Sequence, residues 1–281
     1  MVSSGDGNAG SSRPSHRESR LSPAKVTPND AIMRVAALYD IHGNLPALEA
    51  VLHDLRQADV TRVVVGGDVV PGPMPRETLA YLLDLDLPVQ FIQGNGDREV
   101  LARMRGKETG AIPEQYQESM RWTAQELRQA EYEPVLASWP SSIRVQIPGL
   151  GEVLFCHATP RSDTEVFTRL TPEEHLLPIF AGLDVPLVVC GHTHMPFDRT
   201  IGGVRVVNPG SVGMPFGEPG AYWLVLGPDV QFRKTHYDLG NAAERIRGTA
   251  YPQAHEFAAR NVLQPPSEDE TLDTFTRIAL R

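Results

Sequence analysis

The sequence predicts an α/β protein, and three observations support this fold class. In the first third of the chain, short apolar runs alternate with helical patterns in the order βαβαβ, which is typical of a parallel sheet. Beyond Pro140, apolar runs of strand length dominate. Five of the apolar runs also end in Asp, Asn or His. Because active sites of α/β proteins lie at the carboxyl ends of strands, the last observation predicts a functional site at that edge.

The composition is that of an ordinary globular protein. The chain has 281 residues, of which 41% are hydrophobic and 22% charged, enough for one large domain or two small ones. No apolar run approaches the ~18 residues that a membrane span needs. The net charge of −9 argues against a large nucleic-acid partner, since such binding relies on a basic surface. Cys156 and Cys190 both end apolar runs and fit buried, reduced thiols, so a cytoplasmic location is expected.

The chain divides into three parts. Residues 1–30 are rich in Ser, Gly, Arg and Pro and lack the apolar stretch of a secretory signal, so a disordered extension is predicted. Residues 31–238 carry the strand patterns and form the predicted catalytic domain. Residues 239–281 read as a helical extension, whose last helix opens with a capping box of Ser267 and Glu270.

Helices are predicted from apolar spacing and from proline. Leu45, Leu48, Leu52 and Leu55 recur at helical spacing and share one face. Pro75 opens a second helix that continues to about Asp84. Residues 98–137 read mainly as helices, which form either a layer over the sheet or a cap that shapes the substrate pocket. Further helices are predicted near 242–247 and 252–262, and strands at 143–147, 153–156, 187–190, 204–207, 221–226 and 230–236.

The residues that follow the five apolar runs are of types that bind metals. They are Asp40, His42, Asp68, Asn95, His157, His192 and His194. Imidazole is a common metal ligand at neutral pH. Each residue alone has another interpretation, since an Asp after a strand often caps a helix and a histidine is often only hydrogen-bonded at the surface. Together, at the ends of five strands, they predict a metal centre.

In chain order, the motifs are Asp-x-His at 40–42, Gly-Asp at 67–68, Gly-Asn-x-Asp at 94–97, His157, and Gly-His-x-His at 191–194. This set resembles the calcineurin-like metallophosphoesterase superfamily, and most closely its small bacterial and archaeal phosphodiesterases. The resemblance covers about Met33 to Leu226 and includes the run Asn-Pro-Gly-Ser-Val-Gly at 208–213. It implies a four-layer sandwich of two mixed β-sheets flanked by helices, whereas the pattern alone also allows a single doubly wound sheet.

The resemblance also implies a centre of two divalent metal ions. Asp40, His42 and His194 would hold one ion and Asn95, His157 and His192 the other, with Asp68 bridging both. Mixed nitrogen and oxygen ligands suit transition metals, and manganese is expected first, with Fe, Zn, Co and Ni as alternatives. A hydroxide that bridges the ions would attack phosphorus in line. In this interpretation Asp68, Asn95 and His157 are catalytic residues as well as ligands.

One position departs from the family pattern. Many members have a histidine after the ligand asparagine that helps to protonate the leaving group, and here that residue is Gly96. A requirement for positive φ would explain the glycine. Esters with poor leaving groups are therefore expected to react slowly. Asp97, the acidic residue that follows, is expected to orient a ligand histidine rather than to bind metal.

Two residues are candidates for substrate binding. Asn44 could hydrogen-bond the phosphate from the start of the first helix, or it could cap that helix. Arg161 could bind a phosphate oxygen with its planar guanidinium, or it could form a surface ion pair.

The predicted function is hydrolysis of a small nucleotide-like phosphodiester, so the expected partner is a small phosphoester. A phosphomonoesterase and a nucleoside-polyphosphate hydrolase are the alternatives among enzymes. The alternative from another class is an interaction scaffold, because the retromer subunit of this fold has a degraded metal site. The scaffold interpretation requires missing ligands, and all seven are present here.

Overall fold

The computed structural model describes residues 33–107 and 113–279. The extension predicted for residues 1–30 lies outside the described residues. Within the described part, ten strands form two five-stranded sheets, and helices lie outside them.

The first sheet contains the βαβαβ unit predicted from the start of the chain. Its strands are β1 (Val35–Leu38), β2 (Arg62–Val65), β3 (Val89–Phe91), β9 (Ala221–Leu226) and β10 (Val230–Thr235), in the order β10-β9-β1-β2-β3. Strands β1, β2 and β3 are parallel because α1 (Leu45–Gln57) and α2 (Pro75–Leu83) return the chain each time. Strands β9 and β10 pair antiparallel, which makes the sheet mixed.

The second sheet is built from the β-rich second half. Its strands are β4 (Ser142–Ile147), β5 (Gly151–Cys156), β6 (Leu187–Val189), β7 (Phe197–Ile201) and β8 (Val204–Asn208), in the order β4-β5-β6-β8-β7. The sequence pattern does not predict β7 or the helix α6 (Glu173–Phe180) that precedes β6. Strand β7 is an edge strand with polar residues at its three middle positions, and Pro178 lies inside α6 and obscures its helical pattern.

The two sheets pack face to face on a shared apolar core. Val35 and Val64 of the first sheet belong to the same buried cluster as Phe155 and Val189 of the second. The outer face of the first sheet packs against α1 and its neighbours, and that of the second against α6. Each buried side chain of this kind contributes roughly 1.5–3 kcal/mol. The four-layer sandwich is therefore confirmed, and the alternative of a single doubly wound sheet is wrong.

Residues 98–137 form helices with two locations. The helices are α3 (Asn95–Met104), α4 (Glu114–Gln129) and α5 (Glu133–Ala137). Leu127 of α4 packs in the cluster on the outer face of the first sheet, as a helical layer would. Tyr116 and Ser119, in the first two turns of α4, line a cleft at the predicted ligand edge.

The C-terminal segment folds into helices that pack beside α1. Its elements are α7 (Leu239–Arg247), α8 (Ala254–Phe257), a π-helical turn (Ala258–Leu263) and α9 (Glu268–Ile278). Ile246 and Val262 belong to a small apolar cluster of this segment. Arg245 donates two hydrogen bonds, of 2.6 and 3.0 Å, to the carboxylate of Glu49 on α1.

Helix α9 begins after the N-cap Ser267 of the predicted capping box, but Glu270 accepts from the Ser267 hydroxyl and not from its backbone N–H. Ser267 Oγ accepts a hydrogen bond from the N–H of Glu270 at 3.3 Å and donates one to Glu270 Oε2 at 2.8 Å. Across the ranges that the structure describes, no helix has both the length and the apolar character needed to cross a membrane.

Candidate metal centre

Tyr39 joins the two sheets at the edge where the predicted ligands lie. Its ring is fully buried, and its hydroxyl donates to the carbonyl oxygen of Val189 at 2.9 Å. Gly66 and Gly191 leave room for the ring, because a Cβ at Gly66 would lie 2.0 Å from Tyr39 Cε1 and one at Gly191 2.4 Å from Cδ1. Packing therefore requires these two glycines, which lie one or two residues before the candidate ligands Asp68 and His192.

Five of the candidate ligands adopt a left-handed backbone conformation. The φ angles are +54° at Asp40, +49° at His42, +51° at Asp68, +67° at His192 and +56° at His194. In the described chain only two other non-glycine residues have positive φ. Such conformations cost of order 1–3 kcal/mol each and collect at functional sites. The fold thus maintains strained backbone at five residues whose side chains are candidate ligands.

The run at 208–213 holds the ligand loops of the two sheets together. Asn208 Nδ2 donates to the carbonyl oxygen of Gly191 at 2.8 Å, in the loop after β6. Ser211 Oγ and the N–H of Gly213 donate to the carbonyl oxygen of Asp40, at 2.7 and 3.0 Å, in the loop after β1. This run therefore acts on the backbone that carries the ligands.

Asp40, His42 and His194 form the first group of candidate ligands. His194 Nε2 lies 3.4 Å from Asp40 Oδ1 and 3.3 Å from His42 Nε2. His42 Nε2 also lies 3.7 Å from Asp68 Oδ2. One atom from each of the three residues lies within 4.8 Å of the others, which is close enough to hold one metal ion.

Asn95, His157 and His192 form the second group. The side-chain oxygen of Asn95 lies 3.0 Å from both His157 Nε2 and His192 Nδ1. A cation between these atoms would satisfy the oxygen, and without a cation an amide turned by 180° would donate to the nitrogens instead. His157 Nε2 lies 3.6 Å from Asp68 Oδ1. The two oxygens of Asp68 thus face different groups.

Backbone carbonyl groups accept hydrogen bonds from the Nδ1 side of three of the four histidines. The Nδ1 atoms of His42, His157 and His194 lie 3.2, 2.9 and 2.7 Å from the carbonyl oxygens of Pro71, Gly66 and Met214. A proton on Nδ1 would donate to the carbonyl oxygen and leave the Nε2 lone pair facing the site. This arrangement fixes the ring and the tautomer, as is usual for histidines that bind metal.

The carboxylate of Asp40 tests whether the site fits a cation. Its Oδ2 accepts the N–H of His192 at 3.0 Å, whereas Oδ1 is buried and has no hydrogen-bond partner among the described residues. A buried acceptor without a partner costs of order 1–3 kcal/mol, and more when it is charged. Oδ1 lies 3.4 Å from His194 Nε2 and 4.0 Å from His157 Nε2, so it borders both groups. The residues present therefore fit divalent transition-metal ions.

Burial and neighbouring charges set the protonation of the histidines. Burial lowers the pKa of His42, and burial together with the charge of His157 lowers the pKa of His192 to about 4. Burial also acts to lower the pKa of His157 and His194, but Asp68 and Asp40 outweigh it and raise both values. His42 and His192 are therefore neutral at pH 7, as metal ligation requires, and a bound cation would oppose protonation of the other two.

Gly96 contacts Asp68 through its backbone. Its N–H donates to Asp68 Oδ1 at 2.7 Å. Its φ is not positive, so the expected conformational reason for this glycine is wrong. The reason is packing, because a Cβ here would lie 2.6 Å from Pro71 Cγ and 2.9 Å from Asp68 Oδ1.

Asp97 fixes the loop that carries Asp68. Its Oδ1 accepts the N–H groups of Val69 and Val70, at 2.9 and 3.1 Å, and its Oδ2 accepts that of Gly94 at 3.1 Å. The expectation that Asp97 orients a ligand histidine is wrong, because both its oxygens bind backbone N–H groups.

Asn44 caps a helix and Arg161 forms a surface ion pair, which are the roles predicted as alternatives to substrate binding. Asn44 is fully buried, and its side chain accepts the N–H of Ala47 at 3.2 Å as the cap of α1 and donates to the carbonyl oxygen of Gly213 at 2.9 Å. Arg161 has a side chain that is 54% exposed and forms an ion pair of 2.6 Å with Glu165. The structure does not bring either side chain into the cleft described next.

A cleft of about 480 Å³ opens from the candidate ligands. His42, Asp68 and Asn95 lie at its base. Two of its walls come from the first two turns of α4 and from the C-terminal segment between residues 251 and 266. The C-terminal residues belong to no sequence motif, and only the fold brings them to this edge.

Comparisons with known proteins agree with this geometry. The family model described as the calcineurin-like phosphoesterase superfamily domain matches residues 33–227. An uncharacterized protein of Methanocaldococcus jannaschii is 29% identical over 246 residues, which cover 78% of this chain and 94% of the relative. The crystal structure of a metallophosphoesterase from Sphaerobacter thermophilus is similar with a TM-score of 0.64 and 28% identity, over 81% of this chain and 98% of that one. A hypothetical protein of Pyrococcus horikoshii OT3 shares the fold with a TM-score of 0.71 and 22% identity, over 84% of this chain and 100% of that one.

Proposed function

Because this chain belongs to the calcineurin-like phosphoesterase superfamily, it is a metal-dependent phosphoesterase, and we propose that it hydrolyses a small nucleotide-like phosphodiester at a centre of two divalent metal ions. The position of Asp68 carries the proposal. Its Oδ2 lies 3.7 Å from His42 Nε2, and its Oδ1 lies 3.6 Å from His157 Nε2. A carboxylate between two groups of ligands is what a bridged pair of ions requires.

In this proposal Asp68 completes both ligand groups. Asp40, His42 and His194 hold one ion with it, and Asn95, His157 and His192 hold the other. When bound, such ions make hydroxide available at neutral pH and neutralise charge on the phosphate. Manganese is our first candidate among Mn, Fe, Zn, Co and Ni, because carboxylate and amide oxygens stand beside the imidazoles.

The chain's own groups position the substrate. Asp68 and Asn95 line the cleft, so their side chains border the place where the phosphate would lie. His157 is only 1% exposed, and its Nε2 lies 3.0 Å from the side-chain oxygen of Asn95, so both atoms could hold the same ion. Gly96 also lines the cleft and offers no side chain that could donate a proton. The reaction therefore favours leaving groups that depart without an acid from position 96.

The charge of the cleft favours a diester over the alternative substrates. A monoester carries a charge of about −1.5 to −2 at pH 7, and a nucleoside polyphosphate carries more, whereas a diester carries one negative charge. Among the described residues that line the cleft, Arg260 is the only lysine or arginine. Beyond the two proposed ions and Arg260, additional phosphate charges would meet no further cation in the described lining.

A scaffold without metal is disfavoured by Asp40. Its buried Oδ1 forms no hydrogen bond among the described residues and lies 3.4 Å from His194 Nε2, where a cation would satisfy both atoms. Cys156 and Cys190 are buried free thiols, and burial raises the pKa of each, so both are unreactive. Thiols of this kind suit a reducing compartment, and we place the protein in the cytoplasm.

The test compares turnover of bis(p-nitrophenyl) phosphate and p-nitrophenyl phosphate by the full chain loaded with Mn, Ni, Co, Zn or Mg. We expect the diester to have the higher kcat/KM. The Asp68→Asn variant, purified in the same way, identifies activity from a contaminant, which would persist in that preparation. A preference for the monoester would support a phosphomonoesterase instead. Two bound metals per chain with no turnover of either ester would support the scaffold.

A further inference from the structure

One wall of the cleft above the candidate metal centre consists of residues that lie outside the family match. That match ends at residue 227, and the cleft is lined beyond it by Tyr251, Gln253, Phe257, Arg260, Asn261 and Pro266. A second wall is formed by Tyr116, Ser119 and Met120 of α4. We propose that these two walls form a subsite for the nucleobase of the substrate. The proposal rests on the proposed function and adds the group that this chain recognises.

The side chains of the two walls offer flat, apolar surfaces. Tyr116 and Met120 of α4, Tyr251 of the C-terminal segment, and Met214 with Phe216 all line the cleft, and Phe216 stacks on His194. Tyr251 is held by edge contacts, with ring centroids 5.5 Å from Trp122 and 6.2 Å from Phe257. Aromatic rings fixed in this way stack on planar ligands, and a thioether adapts to their edges.

Two amide side chains supply the polar contacts that a base needs. Gln253 Oε1 accepts a hydrogen bond from Ser119 Oγ at 2.8 Å, which joins the two walls and leaves the amide N–H groups of Gln253 as donors. Among the described residues, the side chain of Asn261 forms no hydrogen bond, so its donor and acceptor are both available to a ligand. Asparagine and glutamine read base edges because an amide presents a donor beside an acceptor. Pockets usually recognise an unpaired nucleotide by stacking on its base and by hydrogen bonds to the edge of that base.

The backbone of the C-terminal wall holds Arg260 and Asn261 in place. They lie in the π-helical turn, where the N–H of Gln264 donates to the carbonyl oxygen of Ala259 at 2.9 Å. Such turns are rare and are frequent at functional sites. Ala258 and Val262, on either side of the pair, are buried in the cluster formed with α7. The wall is thus anchored behind the two residues that face the cleft.

Size and charge select a nucleoside over other occupants. A cleft of about 480 Å³ that begins at Asp68 has room for more than a phosphate and falls in the range of ~300–1,000 Å³ typical of small-molecule sites. A polyphosphate chain would need cations along its length, whereas beyond the proposed ions the described lining holds only Arg260 and the carboxylate of Glu256 as charged groups of the outer walls. A nucleoside carries no charge of its own and matches apolar walls with a few amides.

The experiment uses two kinds of ester with the same leaving group and the same charge. One is the p-nitrophenyl ester of thymidine or adenosine 5′-monophosphate, and the other is methyl p-nitrophenyl phosphate, which has no nucleoside. With the metal-loaded full chain, we expect kcat/KM to favour a nucleoside ester by about 100-fold, as stacking of a base together with amide contacts would give. Tyr116→Ala and Asn261→Ala should each lower this ratio by roughly tenfold.

Matched controls separate the subsite from general effects. Phe232→Ala removes an aromatic ring that is 42% exposed, against 45% for Tyr116, and Asn241→Ala removes an exposed amide from the same C-terminal segment. Both should keep the parental ratio. As a readout independent of turnover, calorimetry should show that thymidine or adenosine 5′-monophosphate binds Tyr116→Ala roughly tenfold more weakly than the parent. Thermal unfolding verifies that each variant is folded.

The outcomes distinguish the subsite from the reaction. A parental ratio near one for both nucleosides would overturn the subsite and leave the phosphodiesterase proposal intact. A high ratio that neither Tyr116→Ala nor Asn261→Ala lowers would also overturn it, because the base would then bind elsewhere. No turnover of any of the esters by protein with two bound metals would overturn the proposed function itself, and nucleotide binding that Tyr116→Ala weakens would still support the subsite.

Discussion

The ring of Phe216 stacks on the imidazole of His194, with ring centroids 5.3 Å apart and planes inclined by 17°. On its other side Phe216 meets the ring of Phe275 of α9 edge-on, at 5.9 Å. His194 is therefore fixed at Nδ1 by the carbonyl oxygen of Met214 and over one face by Phe216. This aromatic contact connects the last helix of the chain to a candidate metal ligand.

Phe216→Ala should weaken metal binding. The variant leaves every candidate ligand in place but lets the imidazole of His194 tilt, and support of this kind is typically worth 10–100-fold in metal affinity (about 10-fold is expected here). Titration of the metal-free protein with Mn or Zn measures the effect. Phe232→Ala, on the exposed face of β10, is the control. Equal affinities in both variants would show that Phe216 does not position His194.

Asp68→Asn should lower turnover by at least about 100-fold, the scale seen even for residues that only support a metal ligand. An amide can still accept the N–H of Gly96, so the loop keeps its hydrogen bond of 2.7 Å while the site loses a charge that faces both groups. Elemental analysis and steady-state kinetics test this expectation together. Near-normal turnover with two metals bound would refute the bridging assignment.

Removal of metal should inactivate the protein reversibly and lower its Tm. Asp40, Asp68 and the histidines converge on one another, and a ligand at 100 times its Kd adds about 2.7 kcal/mol to the free energy of unfolding. For a chain of this size, that corresponds to a Tm lower by roughly 5–10 °C after chelation. Differential scanning before and after addition of metal measures the shift. Full turnover after exhaustive chelation and dialysis would contradict the two-metal mechanism.

Gly96→Ala should impair the enzyme through packing. The new Cβ would lie 2.6 Å from Pro71 Cγ and 2.9 Å from Asp68 Oδ1, so one of the two must move. Overpacking of this kind costs about 1–3 kcal/mol, and the displaced carboxylate should lower turnover further. Tm, metal content and kcat of the variant are the measurements. An alanine variant with parental kcat would show that the loop adjusts freely.

The rate should depend steeply on the leaving group, because a positioned acid typically contributes about 10²–10⁴-fold and Gly96 supplies none. A series of aryl and alkyl phosphodiesters of rising leaving-group pKa measures this dependence. We expect aryl esters to be cleaved well and simple alkyl esters poorly. A flat dependence would mean that another group donates the proton, or that proton transfer does not limit the rate.

The ligand edge could be predicted from the sequence because strand ends are visible in it. A run such as Val63 to Val65 shows where a strand stops, and the parallel order of the strands places Asp68 beside its neighbours without any knowledge of distances. The helix face of Leu45 and Leu48 was predictable for a similar reason, since burial on one side leaves a periodic trace.

The remaining features depend on contacts between distant segments. The residues around Asp97 in the sequence do not show whether it binds a histidine or a loop. Its role became clear only from the hydrogen bonds that it accepts from the backbone of Val69 and Val70. The walls of the cleft give no local signal either, because Tyr116 and Asn261 line the same cleft although they are 145 positions apart in the chain and belong to no motif. Strand β7 is hidden by the polar residues that an edge strand carries.

The candidate ligands of each ion come from both sheets, and this affects how the protein unfolds. Asp40 follows a strand of the first sheet and His194 a strand of the second, and Asn95 and His157 are divided in the same way. Each ion would therefore cross-link the two sheets at the edge where Tyr39 supplies a hydrogen bond between them. Without the ions, amide hydrogen exchange should accelerate first at the ends of β1 and β6, ahead of the shared core. Metal content would then determine where the protein begins to unfold as well as whether it can react.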